Sequence, residues 1–152
     1  MSYSRSQVYI LNLLAKRDYS YQELLDKLAI RNLNKTEAVK ELEIIVTNNW
    51  INDKRLAENL ILYYSKTRGP NWINQKLNQR KIPTEIITKN LSKIKLSTEN
   101  QDKSNLKLKI EKKYNITNWK VIDLKTKAKI WNYLLYHGFN NPYEMISGWS
   151  SS

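Results

Sequence analysis

Residues 20–28 read Ser-Tyr-Gln-Glu-Leu-Leu-Asp-Lys-Leu, and residues 69–77 read Gly-Pro-Asn-Trp-Ile-Asn-Gln-Lys-Leu. The first stretch places a Ser three residues before a Glu, a pattern that satisfies free backbone amides at a helix start. In the second, a Gly interrupts one helix and the Pro after it suits the first turn of the next. Each stretch ends on a Leu that follows an apolar residue by four positions, the spacing of one helix face. Both stretches therefore predict amphipathic helices.

The two stretches belong to a repeat that appears when the chain is compared with itself at an offset of 49 residues. Polar as well as apolar positions match, as in the pairs Leu11/Leu60, Lys27/Lys76, Leu28/Leu77, Arg31/Arg80 and Ile45/Ile94. Apolar triplets with spacings of four and five also recur, as Leu24/Leu28/Leu33, Ile73/Leu77/Ile82 and Ile130/Leu134/Phe139. We expect the third member of each triplet just past a helix end, where it can pack against the next helix.

The pattern predicts an all-α fold of three tandem three-helix repeats that form an elongated, curved helical array. The predicted boundaries are 1–52 for repeat one, 53–95 for repeat two, 96–105 for a polar linker, 106–149 for repeat three and 150–152 for a frayed tail. Asp53 is expected to cap the first helix of repeat two. Gly138 is expected to end a helix in the left-handed conformation.

The composition excludes several kinds of function. The chain has no Cys and a single His, His137. Disulfides, Cys-ligated zinc, thiol nucleophiles, serine triads and His-rich metal sites therefore lack their parts. The sequence also has no Gly-rich phosphate loop and no spaced carboxylate cluster. We therefore expect no catalytic residue, no metal and no cofactor, and a metal-dependent nuclease is the enzyme that stays as a distant alternative.

The charge is strongly basic and unevenly distributed. The 26 Lys and Arg outnumber 14 Asp and Glu, and the net charge is +1 for 1–52, +7 for 53–95 and +4 for 96–152. Like-charged side chains recur four residues apart, as in Lys27/Arg31, Lys76/Arg80, Lys89/Lys93, Lys109/Lys113 and Lys125/Lys129. Each such pair costs an isolated helix a few tenths of a kcal/mol. An anionic partner is one explanation, and a solvated lysine-rich surface is the other.

The hydropathy pattern gives no sign of a membrane protein. The N-terminal residues 1–7 lead into an amphipathic stretch, and no run approaches the ~20 apolar residues that a bilayer span requires. We expect a soluble, cytoplasmic protein without a membrane partner.

Four motifs follow one another along the chain. They are Leu13-Leu14-Ala15-Lys16-Arg17 with Ser20 and Glu23-Leu24-x-x-Lys27-Leu28; Trp50-Ile51-Asn52-Asp53-Lys54-Arg55-Leu56-Ala57; Arg68-Gly69-Pro70-x-x-Ile73-x-x-x-Leu77; and Gly138-Phe139. In this order they resemble the RecX family, bacterial regulators of the RecA recombinase, over essentially the whole chain. Two positions depart from the family pattern, with Leu56 where Phe is usual and Asn49 where Gly is usual. The first is a packing exchange, and Asn tolerates the left-handed conformation better than other non-Gly residues.

The resemblance implies a non-enzymatic modulator that binds in the groove of the RecA–DNA filament. Such a protein limits ATP hydrolysis, strand exchange and filament growth, and so acts in homologous recombination, DNA repair and the SOS response. We expect a monomer whose partner is the RecA filament and whose binding to single- and double-stranded DNA is weak and salt-dependent. The alternative is a helix-turn-helix-like transcription regulator, because three-helix units with short turns resemble such domains. No dimerisation segment, which that alternative would need, is evident.

Ten residues are predicted to contact the filament or its DNA. Arginines are favoured because a guanidinium makes bidentate contacts to phosphate or carboxylate. The candidates are Arg17, Lys27, Arg31, Arg55, Lys66, Arg68, Trp72, Lys76, Arg80 and Lys81. For Arg55, a local ion pair with Asp53 is an equally good interpretation. His137 corresponds to Arg80 in the repeat, and we expect it to be a cation at a helix end.

The tryptophans invite a base-stacking interpretation, since stacking on single strands contributes ~1–3 kcal/mol per base. Trp50, Trp131 and Trp149 lie at apolar repeat positions or helix ends, so we expect them in the core. Trp72 lies beside Lys76 near a helix start, and we expect it to be exposed. Tyr63 and Tyr64 are expected to divide between the core and the surface.

Overall fold

The computed structural model describes residues 2–151, and these residues form ten helices without a strand. The all-α prediction is therefore confirmed. In chain order the helices are α1 (Arg5–Lys16), α2 (Tyr21–Ile30), α3 (Lys35–Thr47), α4 (Asp53–Tyr64), α5 (Pro70–Gln79), α6 (Thr84–Lys89), α7 (Leu91–Asn100), α8 (Ser104–Tyr114), α9 (Leu124–Tyr136) and α10 (Pro142–Ser151). None of them is long and apolar enough to cross a membrane.

The chain divides into two compact units, each built from two separate segments. Unit one contains the residues up to Asn59 together with Leu77–Lys89, and unit two contains Leu60–Lys76 together with the residues from Asn90 onward. The predicted repeats are consecutive in sequence, whereas each unit joins segments from distant parts of the chain.

Each unit has an apolar core made from the faces that the helical spacing predicts. The core of unit one includes Ile10, Leu24, Leu28, Leu42 and Ile45, all without solvent exposure. The core of unit two includes the fully buried residues Leu106, Ile110, Ile130 and Leu134, with Trp119, Phe139, Met145 and Ile146 packed beside them. Burying one such side chain contributes about 1.5–3 kcal/mol, so these faces are the main source of stability.

The helix starts follow the capping patterns in the sequence. The Ser20 hydroxyl accepts the Glu23 amide at 3.2 Å, and the Glu23 carboxylate accepts the Ser20 amide at 2.8 Å. This capping box satisfies two amides that lack partners in the helix. The Asn34 side chain likewise accepts the Glu37 amide at 2.9 Å.

The prediction that Asp53 caps α4 is wrong. The Asn52 side chain accepts the Arg55 amide at 3.0 Å, which makes Asn52 the cap and Asp53 the first helical residue. The Asp53 carboxylate instead accepts the Tyr21 amide at 2.8 Å, at the start of α2. Asp53 thus joins two helix starts within unit one, and its burial raises the pKa of its carboxyl.

Three helix ends share one geometry, and they are the ends at which the apolar triplets lie. Asn32, Lys81 and Gly138 follow α2, α5 and α9 with positive φ values of 69°, 57° and 89°. The next residue in each case donates its amide five residues back, as Leu33 to Leu28 (3.1 Å), Ile82 to Leu77 (3.2 Å) and Phe139 to Leu134 (3.0 Å). This is the Schellman motif, in which the last apolar side chain packs against the helix that it ends. The prediction for Gly138 is confirmed, and Asn49 has a φ of 60°.

Two predicted irregular segments are more helical than their composition indicates. Helix α7 runs to Asn100, so only 101–103 of the predicted linker 96–105 are non-helical. The Thr98 hydroxyl is buried and donates to the Ile94 carbonyl at 3.0 Å, which lets a polar residue remain in the helix. Of the predicted tail 150–152, Ser150 lies in α10 and donates to the Ile146 and Trp119 carbonyls at 2.8 and 3.2 Å. Met1 and Ser152 lie outside the described residues.

Candidate functional site

The candidate site is a cluster of cations and aromatic rings in unit two, which we call the Arg68 cluster. Its members are Tyr64, Arg68, Trp72, Lys76, Lys113, Tyr133 and His137. The Arg68 guanidinium lies 4.9 Å from the centre of the Trp72 ring, and the Trp72 ring lies 4.7 Å from that of Tyr64. The Lys76 Nζ lies 5.8 Å from the Tyr64 ring. Three residues of the predicted site, Arg68, Trp72 and Lys76, are thus brought together.

Gly69 and Gly138 position the cluster, because they let the backbone at the start of α5 approach the backbone at the end of α9. The Gly69 amide donates to the His137 carbonyl at 2.8 Å, and the Asn71 amide donates to the Gly138 carbonyl at 3.1 Å. A Cβ on Gly69 would lie 2.3 Å from the Gly138 oxygen, and a Cβ on Gly138 would lie 2.3 Å from the Trp72 nitrogen. The absence of side chains at these two positions allows the start of α5 to lie against the end of α9. Arg68 and Trp72 are held beside His137 as a result.

His137 is neutral at physiological pH, so the prediction of a helix-end cation is wrong. Its ring lies 4.0 Å from the Tyr133 ring and is half-buried. Burial lowers the pKa of His137 to about 4, and the charges of Arg68, Lys113 and Lys109 lower it further in the same direction. Protonation of the imidazole would add a fourth positive charge to a cluster that already contains Arg68, Lys76 and Lys113, and like charges disfavour it.

The positive charges of the cluster lack acidic partners. Among the ion pairs found in residues 2–151, none includes Arg68, Lys76 or Lys113. The Arg68 Nε and the His137 Nδ1 are buried and have no hydrogen-bond partner. An unpaired buried donor costs about 1–3 kcal/mol. The arrangement suits a phosphate beside the guanidinium and an unpaired base on the aromatic faces.

The other predicted arginines are engaged within unit one. The Arg80 side chain is only 13% exposed, and its Nε and Nη2 donate to the Glu23 carboxylate at 3.1 Å and the Asp18 carbonyl at 2.8 Å. Arg17 is exposed, lies 3.6 Å from the same carboxylate, and covers the Tyr19 ring at 4.4 Å. Arg80 therefore stabilises the unit, while Arg17 keeps a surface that a partner can reach.

The sequence leaves open whether Arg55 contacts a partner or forms a local ion pair with Asp53, and the structure shows a third arrangement. Its Nη2 donates to the Asn49 carbonyl at 3.1 Å, and no ion pair with Asp53 is found between these described residues. The guanidinium thus holds the left-handed turn at Asn49.

The remaining predicted contacts lie on the surface of one unit or the other. Lys81 pairs with Asp26, and this contact lowers the pKa of the Asp26 carboxyl. Arg31 is exposed and lies 4.2 Å from the Tyr9 ring. Lys27 is half-buried on α2, and Lys66 is exposed between α4 and α5. The structure does not join these four residues into one site.

Sequence reasoning missed Lys113 and Tyr133 as members of the cluster. The Lys113 Nζ lies 5.1 Å from the Tyr133 ring, and both residues lie far along the chain from Arg68. The like-charged pair Lys109/Lys113 was the available signal, but nothing local connects α8 with Arg68. Only the packing of α5 and α9 brings them together.

The tryptophans are distributed differently from the prediction. Trp50 and Trp131 are 42% and 39% exposed, so their placement in the core is wrong. Trp149 is partly buried against the core of unit two and lies 5.0 Å from the Trp119 ring, as predicted for a core residue. Trp72 is half-buried, since Tyr64 and Arg68 cover part of its ring.

Two solved structures are similar to this chain in their helical fold. A crystal structure of RecX from Lactobacillus salivarius has a TM-score of 0.71 over 97% of this chain and 95% of that chain, at 21% identity. A second crystal structure, of a regulatory protein RecX, also has a TM-score of 0.71 over 95% of this chain and 72% of that chain, at 20% identity. Likeness at this level of identity establishes the fold alone.

No protein-family model matches the chain. Its sequence relatives, however, are similar enough to establish a family. The regulatory protein RecX of Actinobacillus pleuropneumoniae serotype 5b is 32% identical over 136 residues, which are 89% of this chain and 85% of that protein. The regulatory protein RecX of Haemophilus influenzae (strain 86-028NP) is 33% identical over 135 residues, with 88% and 86% covered. Because this identity extends over more than four fifths of this chain and of each relative, the chain belongs to the RecX family of regulatory proteins.

Proposed function

We propose that this chain is a non-enzymatic modulator of RecA that binds in the groove of the RecA–DNA filament. It limits the ATPase activity, the strand exchange and the growth of the filament, and it acts as a monomer in the cytoplasm. Membership of the RecX family supports this proposal. The observation that best supports a contact site is the Arg68 cluster, in which cations without acidic partners surround aromatic rings.

The filament supplies a chemical match for this cluster. Its DNA presents phosphates and unpaired bases, and an arginine stacked on an indole is well suited to both. Arg68, Trp72 and Lys76 form the centre of the proposed contact, with Lys66 beside it in sequence. Arg17, Lys27 and Arg31 are proposed as separate contacts from unit one. Arg55 and Arg80 contribute less, because their guanidinium groups donate to groups within unit one. The side chain of Lys81, like that of Arg17, is exposed in its ion pair and stays accessible to a partner.

ATP hydrolysis by RecA on single-stranded DNA tests the function. The protein should inhibit hydrolysis and strand exchange at stoichiometric or lower ratios to RecA. Arg68→Ala and Trp72→Ala should weaken the inhibition, whereas Lys40→Ala removes an exposed cation from unit one and should inhibit normally. Absence of inhibition by the unmodified chain would contradict the proposed function. Normal inhibition by both cluster variants would contradict only the site.

A salt series of gel shifts separates this proposal from a transcription regulator. A filament modulator should bind naked DNA weakly, without sequence preference, and with an affinity that falls steeply as salt rises. A helix-turn-helix regulator should bind one duplex sequence tightly without RecA, as a dimer on spaced half-sites. Light scattering on the free protein should give the mass of a monomer.

A further inference from the structure

The outer face of α9 is a row of exposed apolar side chains. Leu124 is 84% exposed, Trp131 39% and Leu135 49%, and Ala128 is also exposed. These four residues are separated by four, three and four positions, which places them on one face of an α-helix. We call this face the α9 stripe.

The stripe is not needed for the core of unit two. Ile130 and Leu134 lie on a different face of α9, roughly 110° around the helix from the stripe, and are fully buried in that core. A helix on a protein surface ordinarily has one apolar face, and its other face is polar. Single exposed apolar residues are common, whereas a large contiguous apolar patch points to an interaction surface.

The charged side chains within α9 are all positive, and Asp123, just before the helix, is an acidic group near Lys125. Lys125, Lys127 and Lys129 lie on α9, and the helix contains no Asp or Glu between 124 and 136. At 100° per residue, Lys127 lies along one edge of the stripe and Lys125 along the other. Asp123 precedes the helix, and its carboxylate accepts the Thr126 amide at 2.8 Å as the N-cap.

We propose that the α9 stripe binds an acidic amphipathic helix of a partner protein. The partner's apolar side chains, spaced three and four residues apart, lie against Leu124, Trp131 and Leu135. Its Asp and Glu side chains lie at the edges of the contact, opposite Lys125 and Lys127. This site is separate from the Arg68 cluster and does not depend on the proposed function.

The observations favour this occupant over two others. Three of the four stripe residues are aliphatic, so Trp131 is the single ring of the stripe on which a nucleic-acid base can stack. A second copy of the chain would bring its own lysines against Lys125 and Lys127, and like charges facing each other disfavour association. An acidic helix meets both the apolar row and the positive edges.

Fluorescence anisotropy with a designed peptide tests the proposal on the full chain. The probe is a labelled helix of about five turns with leucines on one face and glutamates beside them. One control peptide has the same composition with the leucines spread around the helix, and another has lysines in place of the glutamates. We expect the first peptide to bind about tenfold or more tightly than either control, a difference of about 1.4 kcal/mol or more. Equal binding of the three peptides would overturn the proposal.

Variants of the chain place the binding on α9. The double variant Leu124→Gln/Leu135→Gln should lose about tenfold or more in affinity, since both leucines are exposed and their loss leaves the core intact. Leu108→Gln, an exposed leucine on α8 in the same unit, is the matched control and should bind normally. Lys127→Glu should weaken binding in a way that added salt reduces. Binding by the double variant as tight as by the unmodified chain would overturn the proposal.

Three further outcomes would overturn the proposal. Displacement of the peptide from the unmodified chain by oligo(dT), but not from an Arg68→Ala variant, would show that DNA at the Arg68 cluster excludes the peptide, so that the two sites are not separate. Displacement from both proteins would make the stripe a nucleic-acid surface and overturn it. A concentration-dependent increase in mass that the double variant abolishes would make the stripe a self-association surface, which also overturns it.

Discussion

The Arg80 Nε donates to the Glu23 carboxylate at 3.1 Å, although 57 residues separate the two in sequence. Glu23 also accepts the Ser20 amide, so one carboxylate caps α2 and holds the residues that follow α5. The Arg80 side chain is 13% exposed and the Glu23 side chain 16%. Both groups are shielded from water, so the pair is a structural part of unit one. Arg80 is therefore not available as a free cation for a partner.

Replacement of Arg80 by Ala should therefore destabilise the protein. The Glu23 carboxylate would keep its place at the start of α2 but lose its partner in a partly buried setting. Loss of a charged hydrogen bond of this kind costs about 1.5–3 kcal/mol. Urea unfolding of the two proteins, compared at the same pH and salt, measures the difference.

Lys81→Ala is the matched control for that variant. Lys81 pairs with Asp26, but both side chains are well exposed, at 53% and 40%. Exposed pairs contribute about 0–1 kcal/mol, so this variant should unfold close to the midpoint of the unmodified protein. Equal losses for Arg80→Ala and Lys81→Ala would contradict the structural role of Arg80.

Gly69→Ala and Gly138→Ala should each destabilise unit two. A Cβ at either position would lie 2.3 Å from backbone atoms, and Gly138 also has a φ of 89°. Backbone cannot move aside as a flexible side chain can, so we expect a loss of more than about 2 kcal/mol per substitution, from overpacking and left-handed strain. Thermal unfolding followed by circular dichroism measures the change.

Gly148→Ala provides a control of opposite sign. Gly148 lies within α10, and a Cβ there meets no atom within 4 Å. Ala is favoured over Gly inside a helix by about 0.5–1 kcal/mol, so this variant should be slightly more stable. Unchanged stability in Gly69→Ala or Gly138→Ala would show that the start of α5 does not approach the end of α9 so closely.

His137 should make the stability fall as the pH falls from about 6.5 to about 4. The imidazole has an ordinary pKa of 6.5, and its pKa in the fold is about 4. Above this window both the folded and the unfolded chain hold a neutral ring. Within it the unfolded chain binds a proton that the folded chain does not, so protonation favours unfolding.

The variant His137→Gln isolates this effect, because Gln does not titrate. Urea midpoints measured at several pH values across the window should fall less steeply for the variant than for the unmodified protein. The two proteins should differ little in slope above the window. Parallel profiles throughout would contradict the lowered pKa.

Leu28→Ala should cost about 2–5 kcal/mol, the range for a fully buried leucine. Leu28 both lines the core of unit one and accepts the Leu33 amide that closes α2. Leu62→Ala, at a leucine that is largely exposed, is the control and should have a small effect. A midpoint shift near zero for Leu28→Ala would show that the apolar spacing assigns the wrong face to the core.

Local features were predictable from the sequence because their causes lie within a few residues. The capping box at Ser20 and Glu23, and the left-handed turns at Asn49 and Gly138, depend on short-range hydrogen bonds and on the φ tolerance of single residues. The Asp53 cap was misplaced by one residue because Asn52 is an equally good acceptor. The all-α class follows from these features together with the helical spacing.

The candidate site was predictable only in part because its electrostatics depend on contacts distant in sequence. The local sequence around a charged residue near a helix end does not show whether that residue binds a partner protein or pairs with a carboxylate of its own chain. Arg80 pairs with Glu23. His137 is neutral because it is buried near Arg68 and Lys113, and neither neighbour is evident from its local sequence. Arg68, Trp72 and Lys76 were found because all three lie within nine consecutive residues around one helix start.

Cosedimentation with RecA tests the central claim most directly. The protein is mixed with RecA filaments assembled on single-stranded DNA, with RecA lacking DNA, and with the DNA alone, and the bound fraction is measured after centrifugation. We predict saturable binding to the filament, much weaker binding to DNA alone, and a reduced affinity for the filament in Arg68→Ala. Equal recovery of the protein with bare DNA and with filaments, or none with filaments, would contradict the account.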